Sequence, residues 1–294
     1  MSTITNHAGL PEAIIKAVQN DPYDPGECDI TVGRLIQPPR KVELERRHKD
    51  EIIEDASERI WAIMGQCGHT VLERSGVGIV EVRQYVELCG WRIGGKMDVI
   101  YNTKIVDFKF TSVWSAKDGA KPEWIEQLNC YSYICRRNGI PIESLEITCI
   151  YRDWSVLESK RNSDYPRQQA QLFVLPHWSE NDQEQFMRNR VVMHQAARKE
   201  LPDCTPLDRW EKPEKFALMK HGRQRAVRLY DNRAQAEREA EGNGALYVDH
   251  RPREQVRCDN YCSVRPFCTQ ADKLGVPAIE RNYGNRTSNN DNHT

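Results

Sequence analysis

The chain has 294 residues, 29% charged and 39% hydrophobic, the make-up of a soluble globular protein with one large domain or two modest ones. Lys plus Arg is 42 and Asp plus Glu is 43, a formal charge of −1, so any nucleic-acid surface has to be a local patch. No apolar run approaches the ~18 residues that span a membrane, and the N-terminus does not read as a secretory signal. Ten cysteines without an export signal point to a reducing, cytoplasmic setting, where clustered cysteines bind metal more often than they pair.

Residues 1–40 predict a short helix, Leu10 to Val18, and a linker, Asp21-Pro-Tyr-Asp-Pro-Gly26. A second short helix begins near Cys28 and ends at Pro38-Pro39. Residues 41–74 predict one long helix, with Ile52, Ile53, Ile60, Ile63, Met64, Val71 and Leu72 as its apolar stripe. Gly65 and Gly68 weaken its far end or let another backbone pack close. His69 and Glu73, four apart, share a face.

Three strands follow: Gly78–Leu88, Trp91–Tyr101 and Lys104–Phe110. Glu81 and Glu87 are expected on the solvent side of the first. The second and third form a hairpin broken at Asn102-Thr103-Lys104. Asp98 lies on one arm; Asp107 and Lys109 lie on the other, two apart, so a strand points both to one face. Two carboxylates and an ammonium are costly to bury without partners. A divalent cation resolves both burial and repulsion, and Mg²⁺ takes such ligands together with waters and phosphate oxygens. An exposed amphipathic hairpin with a surface Asp–Lys pair is the competing reading. After a loop, Pro122–Arg137 reads as a helix with Gln127 and Tyr131 four apart, and Leu145–Tyr151 as a β-branched strand.

The order helix, strand, strand, strand, helix, strand over residues 41–151 resembles the PD-(D/E)XK nuclease superfamily and, within it, the RecB-like exonuclease branch. The resemblance rests on His69, Gly95-Lys-Met-Asp98, Asp107-Phe-Lys109 and Gln127-Leu-Asn-Cys-Tyr131, in that order. It implies an α/β fold: a restriction-endonuclease-like core, a central mixed sheet flanked by helices in the order αβββαβ. It also implies that His69, Asp98, Asp107 and the carbonyl of Phe108 bind Mg²⁺ or Mn²⁺. The imidazole suits Mn²⁺ better. Lys109 would position or activate the attacking water, and Gln127 and Tyr131 would shape the site or touch the DNA backbone. Glu73 reads more simply as an exposed helix residue.

Beyond the core, Lys160, Arg161 and Arg167 fall in a polar segment that is either a loop near DNA or a solvated one, and 179–199 reads as a packing helix. A C-terminal Cys-rich α+β extension follows. Cys258, Cys262 and Cys268 stand close enough that their thiolates repel unless a metal neutralises them. A fourth ligand would complete a zinc site or an iron–sulfur cluster. Several RecB-like nucleases hold a [4Fe–4S] cluster with a distant cysteine before the core, which here points to Cys28. Cys204 is preferred, because it opens the segment that the trio closes; Cys67 is a third option. Cys89, Cys130, Cys135 and Cys149 read as core residues. Between Cys204 and Cys258 lies a basic hairpin turning at His221-Gly222, with Lys220, Arg223 and Arg225 as DNA-binding candidates.

The expected organisation is 1–40, an N-terminal helix and linker; 41–200, the nuclease core with its packing helix; 201–270, the basic hairpin and cysteine subdomain; and 271–294, a disordered tail. The expected activity is metal-dependent hydrolysis of DNA, an exonuclease favoured over an endonuclease. Its layout resembles nucleases of bacteriophages, which places it in the host cytoplasm, in recombination or DNA processing. A recombination protein or a second copy of the chain is the expected partner, and no membrane is. The alternatives are a DNA-binding scaffold that does not cut, and a zinc-stabilised protein in which the cysteines are the whole story.

Overall fold

The structure, a computed structural model, describes residues 3–277. It divides into two units. One is built from residues up to Glu43 together with Lys49–Leu201, the other from Leu44–His48 together with the chain from Pro202 onward.

The first unit runs β1 (Thr3–Thr5), α1 (Glu12–Gln19), β2 (Ile30–Thr31), α2 (Val32–Leu35), α3 (Pro39–Arg47, whose last turn groups with the second unit) and β3 (Ile53–Asp55). It continues with α4 (Ile60–Glu73), β4 (Ile79–Leu88), β5 (Trp91–Tyr101), β6 (Lys104–Thr111), α5 (Pro122–Arg137), β7 (Ser144–Tyr151), α6 (Val156–Arg161), β8 (Ala170–Val174) and α7 (Glu180–Lys199). β2, β5, β6, β7 and β8 lie side by side in a mixed sheet, and β4 also pairs with β5. β6 and β7 are parallel, while β4–β5, β5–β6 and β7–β8 are antiparallel. Helices flank the sheet: α5 packs on β4 to β7, and α4 on β6.

Strict alternation makes β7 a half-buried strand, with Leu145, Ile147, Cys149 and Tyr151 turned inward. They meet Ile93, Met97, Ile105, Leu128 and Ile134 in one core. Each such side chain contributes about 1.5–3 kcal/mol by leaving water. Cys130, Cys135 and Cys149 are buried among them. Asn129 is fully buried on α5, donates to Pro176 O (3.0 Å) and accepts from Trp178 N–H (2.8 Å) and Gln183 Nε2 (3.0 Å), which fixes the start of α7.

Residues 41–74 do not form one helix. α3 stops at Arg47, and β3 and a 3₁₀ turn at Ala56–Arg59 precede α4. The cause is Asp55. Its buried carboxylate accepts from Ser57 Oγ (2.6 Å), Ser57 N–H (3.1 Å), His7 N–H (2.7 Å) and Thr5 Oγ1 (3.1 Å). Those bonds cap the turn and hold β3 parallel to β1. A carboxylate that offers the backbone such partners competes with a continuous helix. The expected stripe is therefore divided: Ile52 is buried, while Ile53, Met64 and Val71 are exposed and α4 has no buried residue. Gly68 admits a ring rather than another backbone, since a Cβ there would lie 2.0 Å from Phe110 Cζ.

The expected linker is also pinned. Asp21 pairs with Arg59 (2.7 Å) and accepts from Gln66 (3.0 Å), and Arg83 donates to Pro25 O (2.6 Å). The segment after β7, read as loop, contains α6 and the edge strand β8.

The second unit holds β9 (Glu211–Lys212), β10 (Lys215–Lys220), β11 (Arg228–Tyr230), α8 (Arg233–Ala240), β12 (Leu246–Arg251), β13 (Glu254–Gln255), α9 (Val256–Asn260) and α10 (Thr269–Lys273). β11, β10 and β12 form an antiparallel sheet against which α8 packs, and β9 pairs with β13. The first residues of the tail expected from 271 are ordered. Ala271 lies in α10 and is buried, as is Val276; the remainder, 278–294, lies outside the described residues. No helix among the described residues is long and apolar enough to cross a membrane.

The hydrogen bonds outweigh the upward push of burial on Asp55 and hold its carboxyl at about 2, below its ordinary 3.8. A depressed acid stabilises the fold above its unfolded pKa, and that contribution is lost as pH falls from about 4 towards 2. Asp55→Ala is expected to cost about 1–3 kcal/mol at pH 7. Urea titrations should show the gap to wild type narrowing as pH drops below 3.

Candidate active site

The site forms where β5 and β6 part. The two strands pair only at Val99↔Val106, Ile100↔Ile105 and Tyr101↔Lys104. Continuing that register would set Asp98 opposite Asp107; the ladder ends there instead. From that point β5 stays paired with β4 and reaches β2, while β6 stays paired with β7 along its whole length. Asp98 bridges the parting: its Oδ2 accepts from Phe108 N–H at 2.9 Å, where a strand partner's carbonyl would otherwise serve.

Asp107 is buried, and Lys109 Nζ lies 2.8 Å from its Oδ2. Apart from this ion pair, no hydrogen bond reaches Asp107 Oδ2. Lys109 donates to Gln127 Oε1 (3.0 Å), and Gln127 Nε2 donates to the Tyr131 hydroxyl (2.9 Å). One helical turn on α5 thus orders the ammonium. Gly95 lets α5 sit on β5, because a Cβ there would come within 3.0 Å of the Tyr131 ring. From α4, His69 Nδ1 stands 3.3 Å from Asp98 Oδ2, and the His69 ring meets Phe110 edge-on at 5.7 Å.

These groups perturb one another. Burial, and then the charge of Asp107, push the Asp98 carboxyl up to about 6 against the opposing pull of His69 and Lys109. Burial would lower Lys109, but Asp107 and Asp98 overcome it and hold the ammonium above the ordinary lysine value. Burial, with Asp107, keeps the Tyr131 hydroxyl protonated.

The cleft around them has a volume of ≈ 740 Å³, and all five catalytic candidates and His69 line it. Glu73, read from sequence as an exposed helix residue, lines it as well. So does Glu81, a correction to its expected solvent-side place. In the β4–β5 register Glu81 stands level with Asp98, between the pairs Val80↔Val99 and Val82↔Met97, and it contacts Lys96. Its φ of +54° is uncommon for a residue with a side chain. Alternation gave no hint of that twist; only the Glu81–Lys96 pairing across a hairpin could have suggested it.

In donor type, two carboxylates, an imidazole and the Phe108 carbonyl fit a divalent cation. The unsatisfied Asp107 oxygen and the raised Asp98 mark the charge such an ion would relieve. Among the described residues, however, no three His, Cys, Asp or Glu side chains already stand in the arrangement of a metal site.

In the second unit Cys204 lies near enough to Cys258, Cys262 and Cys268 for their charges to act on it. Gln270, on α10 two residues after Cys268, clamps Cys204: it accepts from the Cys204 N–H (2.8 Å) and donates to the Cys204 carbonyl (2.9 Å). Burial, then Asp208, then Cys268, Cys262 and Cys258 push the Cys204 thiol up to about 12. Burial, Cys262 and Cys268 push Cys258 up to about 11. Cys28 belongs to the first unit, where its thiol donates to Pro25 O (3.4 Å) and lies against Gly94. Cys67 is exposed on α4. Lys220, Arg223 and Arg225 are exposed at the end of β10 and in the turn beyond it.

No protein-family model matches the sequence, and no curated protein matches it. Among solved structures, the crystal structure of SSO0001 is 18% identical at a TM-score of 0.44, over 62% of this chain and 85% of that one. The crystal structure of LHK-Exo in complex with dAMP is 13% identical at a TM-score of 0.38, over 58% of this chain and 90% of that one. Likenesses this slight bear on neither chemistry nor ligand.

A carboxyl raised from 3.8 to about 6 stabilises the fold below its unfolded pKa, and that contribution is lost as pH rises through about 6. Asp98→Asn is therefore expected to gain about 1–3 kcal/mol over wild type at pH 7.5 in EDTA, and little at pH 4. Urea midpoints at the two pH values check it. An unchanged midpoint at pH 7.5 would show that Asp98 is not under the strain described.

Proposed function

We propose that this chain is a cation-dependent deoxyribonuclease with a restriction-endonuclease-like core of the PD-(D/E)XK kind, and an exonuclease rather than an endonuclease. The observation that carries the reading is the parting of β5 and β6, which sets Asp98, Asp107 and Lys109 together in one cleft. The run α4, β4, β5, β6, α5, β7 supports it.

Asp98, Asp107, His69 and the Phe108 carbonyl would hold Mg²⁺ or Mn²⁺. When bound, the ion would supply charge neutralisation and lower the pKa of water. Asp107 and Asp98 favour the ammonium form of Lys109, which suits it to position or activate the attacking water or to meet a phosphate oxygen. Gln127 holds Lys109, and Tyr131 holds Gln127. Tyr131 is mostly buried where it lines the cleft, which favours a role in shaping the site over one in touching the DNA backbone. One observation favours the second reading, a protein that holds DNA without cutting: no three ligand side chains among the described residues are already arranged for a metal.

Cys204, Cys258, Cys262 and Cys268 of the second unit would hold a [4Fe–4S] cluster, or Zn²⁺ in its place; the support is that the charges of the other three act on Cys204, and a bound cation would favour the thiolates that burial opposes. Lys220, Arg223 and Arg225 would add phosphate contacts. The phage setting and a recombination partner come from the resemblance in layout alone.

End-labelled linear DNA and closed circular DNA, with Mg²⁺ or Mn²⁺, test the reading. Wild type should shorten the linear substrate and spare the circle, and Lys109→Ala should lose about 10²-fold or more. Cutting of both substrates would make it an endonuclease; DNA binding with no cutting would give the second reading. For the cysteines, iron, sulfide and zinc are measured after anaerobic purification. Cys204→Ala should lose the metal and Cys28→Ala should keep it; the reverse would move the fourth ligand to Cys28.

A further inference from the structure

Two tryptophans stand in solvent near the end of β6. Trp61, at the start of α4, is 54% exposed, and Trp114, in the 3₁₀ turn after β6, is 62% exposed. A large ring left in water is the informative exception to burial. Each carries a cation over its face: the Arg152 guanidinium lies 3.9 Å from the Trp61 ring centre, and Lys117 Nζ lies 5.5 Å from that of Trp114.

The pairs belong to one ridge. Arg152 N–H donates to Thr111 O (3.0 Å), at the last residue of β6. The next residue, Asp153, turns its carboxylate inward to Ser112 Oγ (2.6 Å) and Val113 N–H (2.8 Å), fixing the turn that carries Trp114. Tyr165 braces Trp114 edge-on at 6.3 Å, and its hydroxyl donates to Asp153 O (3.1 Å). Asp118 is the exposed acid of the same turn. The ridge starts two strand residues beyond Lys109, about 7 Å along β6.

We propose that this ridge binds a single strand of polynucleotide that enters or leaves the cleft, its bases stacking on Trp61 and Trp114 and its phosphates meeting Arg152 and Lys117. Exposed rings with flanking cations are what an unpaired strand needs; a duplex hides its base faces and offers phosphate alone. The proposal rests on the nuclease reading for its polarity towards the cleft, yet it is tested by binding and not by cleavage.

Anisotropy of a labelled oligothymidylate and of a duplex of equal length is measured on the full chain in EDTA. Variants are Trp61→Ala, Trp114→Ala, Trp114→Phe and Lys117→Gln, each checked for an unchanged thermal melt. Each Trp→Ala change should weaken single-strand binding about tenfold or more and duplex binding little. Trp114→Phe should restore most of it. Unchanged single-strand affinity, or equal loss on both ligands, overturns the proposal. So does loss of a dimer in sedimentation without any loss of oligonucleotide, which would make the ridge an interface between copies. If wild type fails to cut DNA but the tryptophan variants still lose single-strand binding, the ridge stands and the nuclease reading falls. If wild type cuts and the variants bind normally, the reverse holds.

Discussion

Two carboxylates that a hairpin register would set face to face cannot pair as strands pair. Asp98 and Asp107 stand at that point, and there the β5–β6 ladder stops. The backbone does not go unsatisfied: Asp98 takes the Phe108 N–H that a strand carbonyl would have taken. The opening that results is the cleft. Three acids of three neighbouring strands then border it: Glu81, level with Asp98 in the β4–β5 register, Asp98 itself, and Asp107 across the parting, with Lys96 against the first and Lys109 against the last. Asp98, in the middle, is the one pushed up to about 6. Everything else at the site serves this arrangement, from the Gln127–Tyr131 turn that holds Lys109 to the glycine that lets α5 approach β5.

Much of this was legible in the sequence, because it follows from period and spacing. Alternation marked β4 to β7, and the two-residue spacing of Asp107 and Lys109 put them side by side. Gln127 and Tyr131 meet because they are one helical turn apart. What was not legible depends on single side chains. Nothing periodic distinguishes residues 41–74 from one helix; the break comes from the bonds that Asp55 accepts. Glu81 reads as the polar side of a strand, and its +54° φ is a local backbone choice that alternation does not encode. β8, with Leu172 and Val174 exposed, has no buried face to give it a pattern.

The cysteines show the same division. Cys258, Cys262 and Cys268 announce themselves by proximity along the chain, but the nearness of Cys204 to them does not. Cys204 is brought in by Gln270, whose amide meets both the N–H and the carbonyl of Cys204. A long-range bond from one glutamine leaves no trace in spacing, so the sequence alone could not show that Cys204 lies beside the segment that carries Cys268. Trp61 and Trp114 carry no pattern in the sequence; exposure and the cation over each ring set them apart.

The parted hairpin is read as a cation site. The most direct test is titration of the metal-stripped chain with Mn²⁺ alone at pH 7.5, by calorimetry, beside Asp107→Asn. Wild type should bind the ion, and the variant should bind it about tenfold or more weakly. Absence of binding to wild type, or equal binding by the two proteins, would contradict that reading.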